Sequence, residues 1–204
     1  MRITKPKRIR IVCEGQEEEG YINSLKNKAI FSEKYDIIPI NAGSINNVFP
    51  TYQEAYQSDS YVMVLIFCDT DRGPSKKYLD VKKKINKFHG VDIADDIVIF
   101  GNPCTMQIIL SHFADIKVIS QSKSKNSIAI EELTGIKNYK ASKLQREELF
   151  SKINRSNYKT MKKNVSKLSN NDLDISRTNI LKFLEKLVSD DISWIDEINN
   201  KLNN

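Results

Sequence analysis

Acidic residues follow two of the segments that the sequence predicts to be β-strands. Glu14 comes directly after a predicted strand at residues 8–13, and Asp69 and Asp71 come directly after the apolar segment at residues 61–68. In an open α/β sheet, ligand sites lie beyond the carboxyl ends of the strands. Carboxylate oxygens are the ligands that Mg²⁺ prefers in proteins. The sequence therefore predicts a divalent-metal site at this edge of a sheet.

Each acidic group also has a purely structural explanation, which stays open at this point. The glutamates at positions 17–19 begin a helix that is predicted to run to Ile30, and the helix dipole favours acids there. Asp69 and Asp71 could shape a turn with the following Gly73. The two groups together favour a site, because carboxylates that cluster without a cation repel one another and destabilise the fold.

The first half of the sequence predicts alternating strands and helices. Strands are predicted at residues 8–13, 35–40, 61–68 and 96–100, and helices at residues 17–30, 46–56, 75–88 and 104–113. Pro39 indicates an edge or a bulge in the second strand, Pro50 an interruption of the second helix, and Pro103 the start of the fourth. This alternation predicts an α/β fold: a parallel sheet with right-handed crossovers and helices on both faces.

The second half predicts a helical extension. An exposed loop is predicted at residues 121–126, followed by helices at residues 131–133, 141–154, 156–168, 176–188 and 192–202. Ser142 and Gln145 have the spacing of a helix-capping motif. The predicted organisation is an α/β core over residues 1–120 and a helical, partly basic extension over residues 121–204 that packs on it.

Positive charge is concentrated in the middle of the chain. The net charge is +6, yet residues 121–170 alone hold 12 basic and 4 acidic side chains, a net of +8. Such a segment can attract a polyanion, but for the charge alone a solvated lysine-rich helix face is the favoured explanation, unless a phosphate-processing site lies elsewhere in the chain. Cations next to the acids could also hold a phosphate. The side chains predicted to contact nucleic acid are Arg72, Lys76, Lys77, Lys159, Lys162 and Lys163.

Composition excludes several other classes of protein. With 40% hydrophobic and 28% charged residues, the balance is that of a soluble globular protein, and no apolar run approaches the roughly 20 residues of a membrane helix. Cys13, Cys68 and Cys104 are widely spaced, which indicates reduced thiols in a cytoplasm. Two histidines cannot form a three-histidine metal site, and we expect His112 to be a satisfied, partly buried residue. We expect Trp194 to pack in the core.

The acidic motifs resemble those of the Toprim superfamily, which includes topoisomerases, primases and OLD-type nucleases. The match is closer to the RloB-like Toprim proteins. Their EGxTExxY segment is similar to EGQEEEGY at residues 14–21, and their NPCFExWxxxHF segment is similar to NPCTMQIILSHF at residues 102–113. The resemblance covers residues 8–113. It departs from the family at Met106, where the family has a glutamate, and at Ile108, where it has a tryptophan.

The resemblance implies metal-dependent phosphodiester chemistry. It makes Glu14 the acid/base or a metal ligand, Asp69 and Asp71 ligands of Mg²⁺ or Mn²⁺, and Glu18 a supporting ligand. Topoisomerases and primases need further domains that do not fit in 204 residues, so the expected function is an endonuclease that cleaves DNA or RNA, with a role in phage defence or restriction. The alternative is a Toprim module that is catalytically impaired by Met106 and binds nucleic acid or a partner ATPase without turnover. A purely structural partner is the third possibility.

Overall fold

A five-stranded sheet forms the centre of the computed structural model, which describes residues 5–71, 75–168 and 176–203. The strands lie in the order β2-β1-β3-β4-β5, with the first four parallel and β5 antiparallel to β4. Their bounds are β1 (Lys7–Cys13), β2 (Tyr35–Asn41), β3 (Met63–Asp69), β4 (Val98–Asn102) and β5 (Arg177–Thr178). The predicted α/β class with a mostly parallel sheet is confirmed.

Helices connect the strands and make up most of the second half of the chain. Because β1 leads outwards to β2 and the chain then returns to β3 and β4, right-handed crossovers place the first helix on one face and the next two on the other. The bounds are α1 (Gln16–Asn27), α2 (Ile45–Gln57), α3 (Lys76–His89), α4 (Ala94–Ile97), α5 (Met106–Leu110), α6 (Lys123–Thr134), α7 (Lys143–Ser151), α8 (Arg155–Val165), α9 (Ile180–Val188) and α10 (Ser193–Leu202).

The strand that carries Asp69 is the most deeply buried element. All residues of β3 before Asp69 are buried, as expected of an inner strand covered on both faces. Pro39 lies in β2, which is an edge strand, so that prediction is also confirmed. The acids at the ends of β1 and β3 are therefore carried by two adjacent strands that are fixed by the core.

Three predictions for the first half are wrong in detail. Residues 94–97 form α4 and the fourth strand begins at Val98, because the Asn86 side chain accepts hydrogen bonds from the backbone N–H groups of Ile93 and Ala94 and holds a helical turn there. Helix α2 continues through Pro50, which is exposed while the opposite side of the helix is buried. The sequence also predicts Leu79 on the apolar side of α3, together with Tyr78, Val81 and Ile85, but Leu79 is 49% exposed.

The fourth helix is also shorter than predicted. Pro103 does not begin it: the Asn102–Pro103 peptide is cis, and α5 extends only from Met106 to Leu110. The physical reason lies in the preceding turn, where the Thr105 N–H is bonded to a side chain of β3 instead of to a helical carbonyl. This turn brings Thr105 to the edge of the sheet.

Two predictions for the second half are corrected by side-chain hydrogen bonds. The predicted loop at residues 121–126 is wrong, because α6 begins at Lys123 and the buried Asn126 donates to the Ser120 carbonyl at 2.9 Å. The helix predicted at 176–188 begins only at Ile180. The Asn179 side chain accepts a hydrogen bond from the Phe100 N–H at 2.9 Å and donates one to the Val98 carbonyl at 2.8 Å. These two bonds hold the preceding β5 against β4.

The second half of the chain contacts the sheet at several points. The Trp194 indole donates to the Tyr35 hydroxyl at 2.9 Å and is buried, as expected of a packing residue. The Ser142 hydroxyl caps α7, as predicted. The division of the chain at residue 120 stays a prediction. Within the described ranges, no helix has both the length and the apolar character needed to cross a membrane.

Candidate active site

Glu14 and Asp69 lie side by side at the carboxyl ends of adjacent strands. The Glu14 N–H donates to the Phe67 carbonyl at 2.9 Å, which continues the pairing of β1 with β3. The Asp69 N–H in turn donates to Glu14 Oε2 at 3.0 Å. The parallel sheet therefore brings these two predicted site residues together, as the sequence indicated.

Glu18 joins them from the first turn of α1. Its Oε2 accepts a hydrogen bond from the Gly15 N–H at 2.9 Å, so the side chain bends back over the start of the helix. Only 4% of Glu18 is exposed. Favourable interaction with the helix dipole explains an acid at this position, but it does not explain why the carboxylate is buried beside other acids.

Thr105 fixes the orientation of Asp69. Asp69 Oδ1 accepts hydrogen bonds from Thr105 N at 2.7 Å and from Thr105 Oγ1 at 2.9 Å. The close approach depends on Gly101, because a Cβ there would lie 2.8 Å from the backbone of Cys104 and of Thr105. The cis Asn102–Pro103 segment thus delivers two donors to one carboxylate oxygen, and Asp69 Oδ2 stays without a hydrogen bond to the described residues.

Burial raises the pKa values of all three carboxyls, and the charges of neighbouring acids add to this effect. Burial, followed by the charges of Glu18 and Asp71, raises the pKa of Glu14 to about 7. Burial, with the charges of Glu18 and Glu14, raises the pKa of Asp69 well above its ordinary value. Burial also raises the pKa of Glu18. The cluster is electrostatically unfavourable at neutral pH when no cation neutralises it.

The other residues predicted near the acids lie at the rim. Asp71 is exposed, has a left-handed backbone with φ of 56°, and donates from its N–H to the Pro103 carbonyl at 3.2 Å. Lys76 and Lys77 are exposed at the start of α3, and the charge of Lys77 acts to lower the pKa of Glu14. Arg72 lies outside the described residues.

The predicted basic helix is α8. Its buried side consists of Tyr158, Met161, Asn164 and Val165. Lys159 and Lys163 are exposed and Lys162 is partly exposed, and none of the three forms an ion pair with a carboxylate of the described chain. These lysines are available for an anionic partner, but they lie on a different element from the carboxylates.

A buried histidine links α8 to the candidate site. The Tyr21 hydroxyl lies 3.0 Å from His112 Nε2, and His112 Nδ1 lies 3.2 Å from Asn157 Oδ1. Asn157 Oδ1 can only accept a hydrogen bond, so His112 donates to it from Nδ1. The neutral ring then accepts a hydrogen bond from the Tyr21 hydroxyl at Nε2. His112 is 1% exposed, and burial lowers its pKa to about 4. The predicted satisfied histidine is confirmed, and it is fully rather than partly buried.

An open cavity of about 340 Å³ lies over the carboxylates. Glu14, Glu18 and Asp69 line it together with Gly43 and Ser44 of the turn before α2, and Arg146 of α7 forms part of its wall. Sequence reasoning missed Arg146, which was only one of twelve basic residues in the charged segment. Only the contact of α7 with α1 reveals it.

The residues fit a hydrated Mg²⁺ better than a fully protein-bound ion. Within residues 5–71, 75–168 and 176–203, no group of three or more His, Cys, Asp and Glu side chains is arranged to hold a metal. Backbone N–H groups bond one oxygen of Glu14 and one of Asp69, and among the described residues nothing donates a hydrogen bond to the other oxygen of either carboxylate. Mg²⁺ is commonly held by one or two carboxylates, water and substrate phosphate. Glu14 and Asp69 would be those two carboxylates.

Two further sequence features can be placed in the structure. Cys13, Cys68 and Cys104 are buried free thiols, as their spacing indicated. Met106 is the first residue of α5, next to Thr105, and is 4% exposed.

Protein-family models, curated proteins and solved structures were all compared with this chain, and none matches.

Proposed function

We propose that this chain is an endonuclease that uses Mg²⁺ or Mn²⁺ to cleave phosphodiester bonds in DNA or RNA. The observation that carries this proposal is the gathering of Glu14, Glu18 and Asp69 at the ends of two adjacent strands. Glu18 is buried and Glu14 and Asp69 are partly buried. Three such carboxylates with raised pKa values destabilise the fold unless they have a cationic ligand. Strained electrostatics of this kind are typical of functional sites.

The geometry suggests separate roles for the acids. Glu14, with a pKa of about 7, can hold or release a proton near neutral pH, which suits general acid or base catalysis. Asp69, whose orientation is fixed by Thr105, would direct Oδ2 at the ion, and Glu18 would support the cluster from α1. A bound divalent ion would polarise the phosphate and lower the pKa of a bound water. Asp71, on the rim, would act through its charge.

The similarity to RloB-like Toprim proteins belongs to the same proposal. The segments at residues 14–21 and 102–113 that carry the similarity contact each other through the Tyr21–His112 hydrogen bond. Both segments also act on Asp69. The charge of Glu18 in the first segment raises the pKa of Asp69, and the Thr105 hydroxyl in the second segment donates a hydrogen bond to Asp69. This mutual contact supports a Toprim-like core and, by analogy, a role in phage defence or restriction.

The test is a cleavage assay on plasmid DNA, single-stranded DNA and tRNA with Mg²⁺, with Mn²⁺ and with EDTA. We expect cleavage that requires the metal and is lost in the Asp69→Ala, Asp71→Ala double variant. Glu132→Gln, which removes an exposed acid on α6, serves as the control. Equal cleavage by the double variant and the wild type would refute the assigned site.

Removing two exposed lysines from α8 should weaken nucleic-acid binding without affecting the acids. In the Lys159→Gln, Lys163→Gln variant, the slope of log K against log salt should become shallower by about 0.7–0.9 for each phosphate that is no longer neutralised. The matched control is Lys83→Gln, Lys87→Gln, an exposed pair of the same spacing on α3. Fluorescence anisotropy with a labelled oligonucleotide over a salt series measures the slope. Identical slopes for the two variants would show that α8 does not bind the backbone.

Met106 favours a second candidate, a catalytically impaired module that binds nucleic acid or a partner ATPase. It is a buried, uncharged residue at the position where the similar family has glutamate. This candidate predicts binding that does not depend on metal and no cleavage with either Mg²⁺ or Mn²⁺. The same substrate panel, titrated with and without metal, separates the two candidates.

A further inference from the structure

The cavity over the carboxylates has a cation in its wall. Arg146 lines this cavity together with Glu14, Glu18 and Asp69. Its side chain is partly buried, and Nη1 donates to the Ala141 carbonyl. A guanidinium has five N–H donors, and among the described residues the Ala141 carbonyl is the one acceptor that bonds this guanidinium.

Arg146 does not act as the counter-ion of the acids. Among residues 5–71, 75–168 and 176–203, no carboxylate forms an ion pair with it. Glu17, the acid next to Glu18, instead accepts a hydrogen bond from the Tyr139 hydroxyl at 3.0 Å. The cavity therefore has a negative side formed by the strand ends and a positive side formed by α7, with open space between them.

Close packing holds α7 in this position. Phe150 of α7 lies so near Gly20 of α1 that a Cβ on Gly20 would be 2.4 Å from Phe150 Cε2. The Ser24 hydroxyl donates to the Phe150 carbonyl at 3.2 Å. Because both contacts are made to the helix that carries Glu18, Arg146 is held at a fixed position relative to the acids.

We propose that Arg146 binds a phosphate group of the nucleic-acid substrate, across the cavity from the carboxylates. This inference rests on the proposed function and adds to it the residue that would recognise the phosphate. A planar guanidinium can bind two oxygens of one phosphate at once. The phosphate would then lie between Arg146 and the metal ion at Glu14 and Asp69. The core would supply the metal ligands of this site, and the helical extension would supply the residue that binds the phosphate.

The experiment compares Arg146→Ala and Arg146→Lys with the wild type. Lys143→Ala is the matched control, because Lys143 lies on the same helix, is 83% exposed and, among the described residues, pairs with Glu147 alone at 3.9 Å. Three quantities are measured: kcat/KM for nucleic-acid cleavage, the affinity for a 5′-phosphorylated dinucleotide in Mn²⁺, and the affinity for Mn²⁺ alone. We expect Arg146→Ala to lower the first two by about tenfold or more, and Arg146→Lys to restore part of the loss. Removing a cation from an acidic cavity should leave Mn²⁺ affinity unchanged or higher.

The outcomes separate this inference from the proposed function. If the dinucleotide binds Arg146→Ala as tightly as the wild type, or does not bind the wild type at all, the inference is wrong. If binding depends on Arg146 but no nucleic acid is cleaved, the inference stands and the nuclease proposal fails. Loss of Mn²⁺ affinity and of thermal stability together, in both Arg146 variants, would show a structural role and overturn the inference.

Discussion

The Asp69→Asn protein should be more stable than the wild type at pH 8 without metal, although it loses metal-dependent activity. Asn retains the Oδ1 that accepts from Thr105, and it removes one charge from a cluster in which Asp69 and Glu14 repel each other. We expect a gain of about 1–3 kcal/mol, which corresponds to a Tm rise of about 3–10 °C for a chain of this length. Thermal unfolding followed by circular dichroism measures it.

The gain should depend on pH in a defined direction. Folding raises the pKa of Glu14 from 4.5 to about 7, and it also raises the pKa values of Asp69 and Glu18. The native protein therefore binds more protons than the unfolded chain in this range, so wild-type stability is lost as the pH rises from about 5 through about 7. At pH 5, where Glu14 is protonated, the advantage of Asp69→Asn should largely disappear.

Metal provides the complementary measurement. At pH 8, Mg²⁺ or Mn²⁺ should raise the Tm of the wild type, because a ligand that binds only the native state stabilises it. Asp69→Asn should lose this response and should lower cleavage by more than about a hundredfold, the upper range for removing groups that only support metal ligands. Glu132→Gln should leave both properties as in the wild type. A lower Tm for Asp69→Asn at pH 8 would contradict a repulsive carboxylate cluster.

The His112→Ala protein should be destabilised by about 3–5 kcal/mol. The substitution opens a cavity at a residue that is 1% exposed, and it removes the partner of the buried Tyr21 hydroxyl. Tyr21→Phe, which removes only the hydroxyl, should cost about 1–2 kcal/mol. Urea unfolding at constant m-value measures both. His89→Ala is the matched control. His89 is only partly buried, and its Nε2 lies 2.8 Å from the Tyr52 hydroxyl, so this substitution should lower the free energy of unfolding by less than His112→Ala does.

Histidine protonation should destabilise the protein in acid. Burial lowers the pKa of His112 from 6.5 to about 4, so its contribution to stability is complete above pH 6.5 and is lost as the pH falls through about 4. This dependence is opposite in sign to that of the carboxylates. Between pH 6 and pH 4, a His112→Gln protein should therefore gain more stability, or lose less, than the wild type as the pH falls. The same pH dependence in the two proteins would show that His112 protonation does not affect stability.

Local patterns in the sequence were sufficient for the parts of the site that strands position. The apolar run before Asp69 is an inner strand, and the neighbouring strand ends at Glu14, so parallel pairing alone brings these two acids together. Glu18 follows from the same logic, because α1 starts one residue after Gly15. The turn at Asp71 was less accessible, since its left-handed backbone depends on a hydrogen bond to the Pro103 carbonyl.

The parts that the sequence did not predict depend on contacts between distant segments. Arg146 lines the cavity because Phe150 packs on Gly20 and its carbonyl accepts a hydrogen bond from Ser24. The hydrogen bond between His112 and Asn157 joins the turn after α5 to the basic helix α8, and no periodicity reveals it. The two-residue strand β5 is too short for an alternating pattern, and Asn179 holds it in place through the backbone of β4.

The position of β5 in the chain has a consequence for biosynthesis. Strand β4 has one of its edges covered by Arg177 and Thr178, which are made long after the other four strands. A growing chain that has folded its first four strands therefore carries an open sheet edge while the ribosome adds some seventy further residues. Unpaired edges of this kind invite pairing with other chains. Slow translation, or a ribosome that stalls before Arg177, would expose this protein to aggregation at an edge that the finished molecule keeps covered.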